Sequence, residues 1–255
     1  MRRAVTATQL MGLHERRHYR FKVLNDDNGL DPVNIWNCIV SMENIMFLVL
    51  GPPSSTGGTT SNPAMEKVAA TSSTTAPSLR NQSSNILPTL IIHATSKILK
   101  RNQLYIPQQT FDMTREIDQE LIKMTEQLPS SSWRPPSLAG LELDSVQAFW
   151  EARRAWDHMY YYTIVNQLHL PYTLCMRHTP RVIYSSMACV NASRKILIRQ
   201  IAIHFVALIA GMTLILAHLV SHSHDENDKF NSDNVLVHQR SSDRVTLEQA
   251  LECMK

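Results

Sequence analysis

The chain has 255 residues, enough for one sizeable core or two small ones, and its 7 glycines and 7% aromatic content disfavour sheet-rich folds. Its net charge of +3 is spread along the sequence, so it leaves no electrostatic footprint of the kind nucleic-acid-binding domains carry. Cys38, Cys175, Cys189 and Cys253 lack both C-x2-C spacing and the density of a disulfide scaffold, which points to reduced thiols in an intracellular protein.

Residues 1–22 are basic and nearly free of acids, a composition shared with mitochondrial presequences, but they run straight into core-like sequence. They have no continuous apolar h-region, so a secretory signal is excluded and the sequons at Asn81 and Asn191 read as accidental. A short amphipathic patch covers Val5 to His14 and ends near Gly12. Asp26, Asp27, Asn28 and Gly29 then have turn composition. Asp31 is placed to cap a helix with Pro32 in its first turn, and Ile35, Trp36, Ile39, Met42, Ile45, Met46 and Leu50 form the predicted apolar face. Gly51-Pro52-Pro53 stops it.

Between Pro53 and Asn85 the sequence has 14 Ser or Thr in 33 residues and hardly a large apolar side chain. Such a stretch cannot bury enough surface to offset its ordering entropy, so it reads as a disordered insert. Its glycines lack the G-x4-G-K-[ST] spacing of a phosphate loop. Helical periodicity resumes through Ile86, Leu87, Leu90, Ile91, Ala94, Ile98 and Leu99, with Lys100 and Arg101 suiting a helix C-terminus. Thr110 is placed to cap the next helix, whose Ile117, Leu121, Met124 and Leu128 make a regular stripe.

The stretch from Trp150 to Leu174 is predicted to be the central helix, ending at Pro171. At 100° per residue Ala152, Trp156, Met159, Tyr160, Thr163, Ile164 and Leu168 share one broad arc, with Glu151, Arg154 and His158 opposite. So wide an arc needs neighbours on more than one side. Thr179 and Pro180 then read as cap and first-turn proline of a helix carrying Ile183, Met187, Val190 and Leu197. Ile201 to Val220 is the most apolar run, and Leu236, Leu247, Ala250, Leu251 and Met254 mark a last amphipathic helix. The expected fold is all-α, an irregular multi-helix array around a buried central helix with the Ser/Thr-rich insert.

Candidate chemistry is sparse. Ile201 to Val220 is long enough to span a bilayer, but Gly211, His204 and the lack of an aromatic belt favour a fully buried core helix. His218, His222, His224 and Asp225 resemble a metal cluster only through i, i+4 spacing, and helix ends attract histidine for electrostatic reasons alone. Arg153 and Asp157, four apart, read as a shielded ion pair. No nucleophile elbow, H-E-x-x-H or Gly-rich dinucleotide turn occurs, so no enzyme is expected.

Several segments, taken in order, resemble one family. These are Gln9 to His14; Ile35, Trp36, Glu43 and Leu50-Gly51-Pro52; Ile98 to Gln103; and Thr114 to Leu121. Trp133, the Leu168-His169-Leu170-Pro171-Tyr172 ending, Tyr184 with Cys189, Ala192 and Arg194, and Phe205 to Leu219 with His238-Gln239-Arg240 and Asp243-Arg244 complete the series. Together they look like the fungal-specific transcription factor domain, the helical regulatory region that follows a zinc binuclear cluster. The six-cysteine spacing of that cluster is absent from this sequence, and the chain begins near the family's LGLH segment.

The resemblance therefore implies an N-terminally truncated, nuclear regulatory domain without a cofactor of its own. Zinc and DNA contact would belong to a separate cysteine cluster, and partners would be a second copy or coregulator proteins. It implies N-terminal helices over 1–52, the insert over 53–85 and the main helical part over 86–255. A small-molecule effector would be sought beneath the central helix near Trp156, Tyr160 and His169. The alternative is a membrane-associated helical protein anchored by residues 201–220.

Overall fold

A computed structural model describes residues 2–14, 32–50, 79–104, 107–137, 139–142, 145–173, 179–198, 204–225 and 235–253. Among these there are eight α-helices and no strand, so the fold is all-α as expected. They are α1 (Arg2–Leu10), α2 (Pro32–Leu50), α3 (Leu79–Asn102), α4 (Pro107–Glu126), α5 (Val146–Thr173), α6 (Pro180–Ile198), α7 (His204–Asp225) and α8 (Val235–Cys253). The chain divides into two compact units, Met1–Arg134 and Pro135–Lys255. Residues 53–78 of the expected insert lie outside the described residues, whereas 79–85 already belong to α3.

In the first unit, α1 closes on Gly12, whose φ of 72° lets the chain turn back. The Gly12 amide donates to the Gln9 carbonyl and the Leu13 amide to Thr8, satisfying carbonyls that the helix end would orphan. The rings of His14 and Trp36 then meet at 5.8 Å and tie this turn to α2.

Helix α2 departs from expectation. Its buried side chains are Asn37, Val40, Ser41, Glu43, Asn44 and Ile45, while Ile35, Met42, Met46 and Leu50 of the predicted apolar face are exposed. Asn37 lies about 180° and Ser41 about 140° around the helix from Met46. The reason is composition: α2 is apolar around most of its circumference, so periodicity alone does not choose the face that α1 and α3 cover. The Ser41 hydroxyl donates to the Asn37 carbonyl at 2.6 Å, but Asn44 Nδ2 is buried without a hydrogen-bond partner among the described residues.

Helices α3 and α4 follow their predicted stripes. Leu87, Leu90, Ile91, Ala94 and Ile98 are buried on one, Ile117 and Leu121 on the other, with Leu128 buried just beyond α4. Thr110 lies inside α4 rather than capping it, and its carbonyl accepts from the Thr114 hydroxyl at 2.9 Å. Arg101 stands in the last turn of α3 as expected, but it is fully buried. Its Nη1 donates to Thr114 Oγ1 at 3.1 Å and its Nη2 to Asn102 at 2.7 Å. Lys97 bridges α3 to α4 through Glu120 at 2.6 Å and Glu116 at 3.4 Å.

In the second unit, Ser145 caps α5, its Oγ accepting the Ala148 amide at 3.1 Å. The helix starts four residues before the predicted Trp150 and carries Pro171 inside its last turn. It packs on α6 and α7, and its buried residues lie around the whole circumference. Glu151 and His158, predicted to face away from the core, are therefore buried too. Glu151 accepts from the Ser137 amide at 3.1 Å and from Arg154 Nη2 at 2.7 Å.

Thr179 and Pro180 begin α6 as expected, with the Val182 amide reaching Thr179 Oγ1 at 3.4 Å. Val190 and Leu197 are buried, but Ile183 is exposed. Helix α7 is buried along Val206, Ala207, Ala210, Leu214 and Ala217 and exposed on its other side, so the expectation of a fully buried helix is corrected. Among the described residues no helix is long and apolar enough to cross a membrane, which leaves the 201–220 anchor unsupported. Gly211 lets α8 come close: a Cβ there would meet the Leu247 side chain at 3.2 Å.

The buried Asn44 donor costs desolvation energy that no bond among the described residues returns. Asn44→Leu is expected to raise the urea unfolding free energy of the 255-residue chain by about 1 kcal/mol. A fall of similar size would mean that the amide has a partner worth keeping.

Candidate functional site

The polar interior of the second unit is built around two points where helices meet. At the first, Asn166 of α5 donates from Nδ2 to Ser193 Oγ of α6 at 2.8 Å, with Cys189 Sγ of α6 and Thr213 Oγ1 of α7 each at 3.5 Å. Gln167 Nε2 supplies Asn166 Oδ1 at 3.3 Å. The Ser193 and Thr213 hydroxyls donate in turn to the helix carbonyls of Cys189 and Ile209, at 3.0 and 2.9 Å. Burial pushes the Cys189 thiol up to about 12, against a smaller opposing effect of Thr173. It therefore stays protonated at neutral pH, unlike a cysteine activated as a nucleophile.

At the second point Asp243 of α8 is held by two other helices. Arg194 of α6 grips it in a two-bond fork, Nε to Oδ1 at 2.5 Å and Nη2 to Oδ2 at 2.7 Å, and His218 Nε2 of α7 lies 2.8 Å from Oδ2. Burial alone would raise the Asp243 carboxyl, but the hydrogen bonds and charges of Arg194 and His218 outweigh it and hold the group below the usual carboxylate range. His218 thus serves α8. The backbones of His222, His224 and Asp225 continue α7, and their side chains lie outside the described residues. No three His, Cys, Asp or Glu side chains converge on a metal position among the described residues.

The three residues considered for an effector pocket do not share one face. Trp156 and Tyr160 come together, ring centroids 5.8 Å apart. His169 is buried against α6, with Nδ1 3.2 Å from Ser185 Oγ and its ring edge-on to Tyr184 at 5.8 Å. Nine residues separate Tyr160 from His169, which on a regular helix turns them about 180° apart. The Arg153–Asp157 pair is present at 3.1 Å on α5. Burial raises Asp157 to about 6, and the charge of Arg153 offsets only part of that.

The Asp243 cluster was legible only as letters of a resemblance. The signal that would have found it is positional: Leu236, Asp243, Leu247 and Ala250 fall at i, i+7, i+11 and i+14, so a carboxylate occupies the inner stripe of α8 and must be met by cations.

These features define the second unit as a helical body held by buried polar nodes, and comparison with known proteins gives it a lineage. The probable transcription factor gsfR1 of Penicillium aethiopicum is 50% identical to this chain over 268 aligned positions, covering 100% of this chain and 37% of the relative. A dehydrocurvularin biosynthesis regulator of Alternaria cinerariae is 33% identical, covering 99% of this chain and 33% of its own length. The transcription factor eupR of a Phoma species is 31% identical over 69% of the chain and 36% of its own length. The chain is thus related along its whole length to fungal proteins named as transcription factors and pathway regulators, and it spans about a third of their length. No family model and no solved structure matches it.

Two substitutions test the nodes. Asp243→Ala, which leaves the half-buried Arg194 without its carboxylate, should cost about 2 kcal/mol in a denaturant titration. Asp157 behaves oppositely with pH. Its folded value of about 6 lies above the unfolded 3.8, so the folded chain holds the extra proton between these values and stability falls as pH rises through that window. Asp157→Asn should remove this fall, about 3 kcal/mol at most, from a pH series of unfolding free energies.

Proposed function

We propose that this chain is a helical regulatory domain of a fungal transcription regulator, of the kind the fungal-specific transcription factor domain represents. The observation that carries the reading is the 50% identity to a probable transcription factor across 100% of this chain. In this reading the domain works in the nucleus and acts through protein contacts, with a second copy or with coregulators. DNA contact and its zinc belong to a cysteine cluster outside these 255 residues, whose four cysteines do not have that spacing. The residues described above suit a scaffold. Cys189 is kept as a thiol, Asp243 is committed to a structural fork, and Asn166 is saturated by neighbouring helices.

The test is a fusion of the 255-residue chain to an unrelated DNA-binding domain, read on a reporter carrying that domain's site in a filamentous fungus. Expression is expected to change at least severalfold in either direction relative to the DNA-binding domain alone. No change, from a fusion that accumulates in the nucleus, would defeat the proposal.

A further inference from the structure

We propose that Ser137 is a phosphorylation site for a protein kinase that selects basic residues, and that the phosphate releases the chain at Ser137 from α5. The modification goes beyond the regulatory reading and stands or falls without it.

The sequence and the backbone together single out Ser137. In Arg134-Pro135-Pro136-Ser137 an arginine stands three residues before the hydroxyl, the spacing at which an acidic substrate cleft takes a basic side chain. The same spacing occurs at two other places in the chain, Arg3 before Thr6 and Arg80 before Ser83. Thr6 lies inside α1 and Ser83 inside α3, where helical dihedrals keep the acceptor from the extended form that a kinase cleft holds. Ser137 lies outside the helices. Arg134 has φ −58° and ψ 136°, and the two prolines hold the next two φ angles at about −65°, so the segment is already extended. Arg134, Pro135 and Ser137 are exposed.

In the reaction the Ser137 hydroxyl oxygen attacks the γ-phosphorus of ATP bound to the kinase. An O–P bond forms as the bond to the bridging β–γ oxygen breaks, ADP leaves with that electron pair, and the serine proton passes to the kinase's catalytic carboxylate.

The consequence follows from what Ser137 holds. Its amide donates to Glu151 Oε2 of α5 at 3.1 Å, and Glu151 is only 4% exposed. Arg154 Nη2 meets the other oxygen of Glu151 at 2.7 Å. A phosphate on Ser137 brings about two negative charges beside that carboxylate. Arg154 sets one positive charge against a total of about three negative ones, and the burial of Glu151 limits screening by salt. Repulsion therefore breaks the Ser137–Glu151 bond rather than tightening it.

The experiment treats the purified 255-residue chain with ATP and a calcium/calmodulin-dependent protein kinase and maps phosphate by tandem mass spectrometry. Phosphate is expected at Ser137, and Arg134→Ala, a change at an exposed position, is expected to slow its incorporation at least tenfold. Absence of phosphate from Ser137, or a rate indifferent to Arg134→Ala, would overturn the site. Release is read from hydrogen exchange of the Ser137 amide by NMR. That amide is expected to exchange at least tenfold faster in the phosphorylated chain, with α6 and α8 unchanged and slow exchange restored by a phosphatase. An unchanged Ser137 amide, or acceleration spread over α6 and α8, would overturn the release. Neither readout involves transcription: an unmodified Ser137 with an active fusion defeats the site alone, and a modified one with a silent fusion defeats the regulatory reading alone.

Discussion

A carboxylate buried in a helical core has to be met by cations, and the second unit is arranged around how Asp243 meets this requirement. Its two oxygens are taken by Arg194 of α6 and His218 of α7, so one side chain of α8 sets the position of two other helices. Neighbouring Ser193, one residue before Arg194 and so about 100° around the helix from it, receives the Asn166 amide of α5. Helix α6 therefore carries both polar nodes on consecutive residues and is the shared neighbour of α5, α7 and α8. Apolar ridges can slide by a turn at modest cost, whereas a displaced carboxylate or amide forfeits its bonds outright, so such nodes select one register among several.

Hydropathy alone misjudges α2 and α7 for a different reason. Both are apolar on more sides than their neighbours can cover, with mean hydropathies well above those of the other helices. For α2 the interior is chosen by contact with α1 and α3 and takes in Asn37, Ser41 and Asn44, while Met42, Met46 and Leu50 face outward. For α7 the interior is the side where Ala207, Ala210, Gly211 and Ala217 permit close approach around buried Val206 and Leu214, while Leu208, Met212, Ile215 and Leu219 are left outside. Small residues set among the buried aliphatics, rather than apolarity alone, mark the face that goes inward there.

How much of this was legible depends on how one-sided each helix is. Helix α4, with Ile117 and Leu121 against acids and amides, follows its stripe because only one face is apolar. The start of α6 at Thr179-Pro180 was equally legible, since cap and proline act locally. Helix α5 was legible as a helix with many neighbours, but burial of Glu151 and His158 was not: a helix enclosed all round has no polar side for periodicity to find. The metal-like spacing on α7 was a weak signal because i, i+4 histidines share a face whatever they bind, and His218 is taken by a carboxylate 25 positions further on. Local patterns report local geometry, and the two nodes are both non-local.

Asp157 and Asp243 show how that non-locality is resolved energetically. Both are carboxylates withdrawn from water beside an arginine, yet one is shifted up and the other down. The difference lies in the number and alignment of donors. Asp157 has one arginine nitrogen at 3.1 and 3.3 Å from its two oxygens, while Asp243 has a fork of two arginine nitrogens plus an imidazole, none farther than 2.8 Å. Burial outweighs the first arrangement and loses to the second. It follows that the α6–α7–α8 junction is held most firmly when Asp243 is ionised, whereas α5 near Asp157 is easiest to bury when that residue keeps its proton.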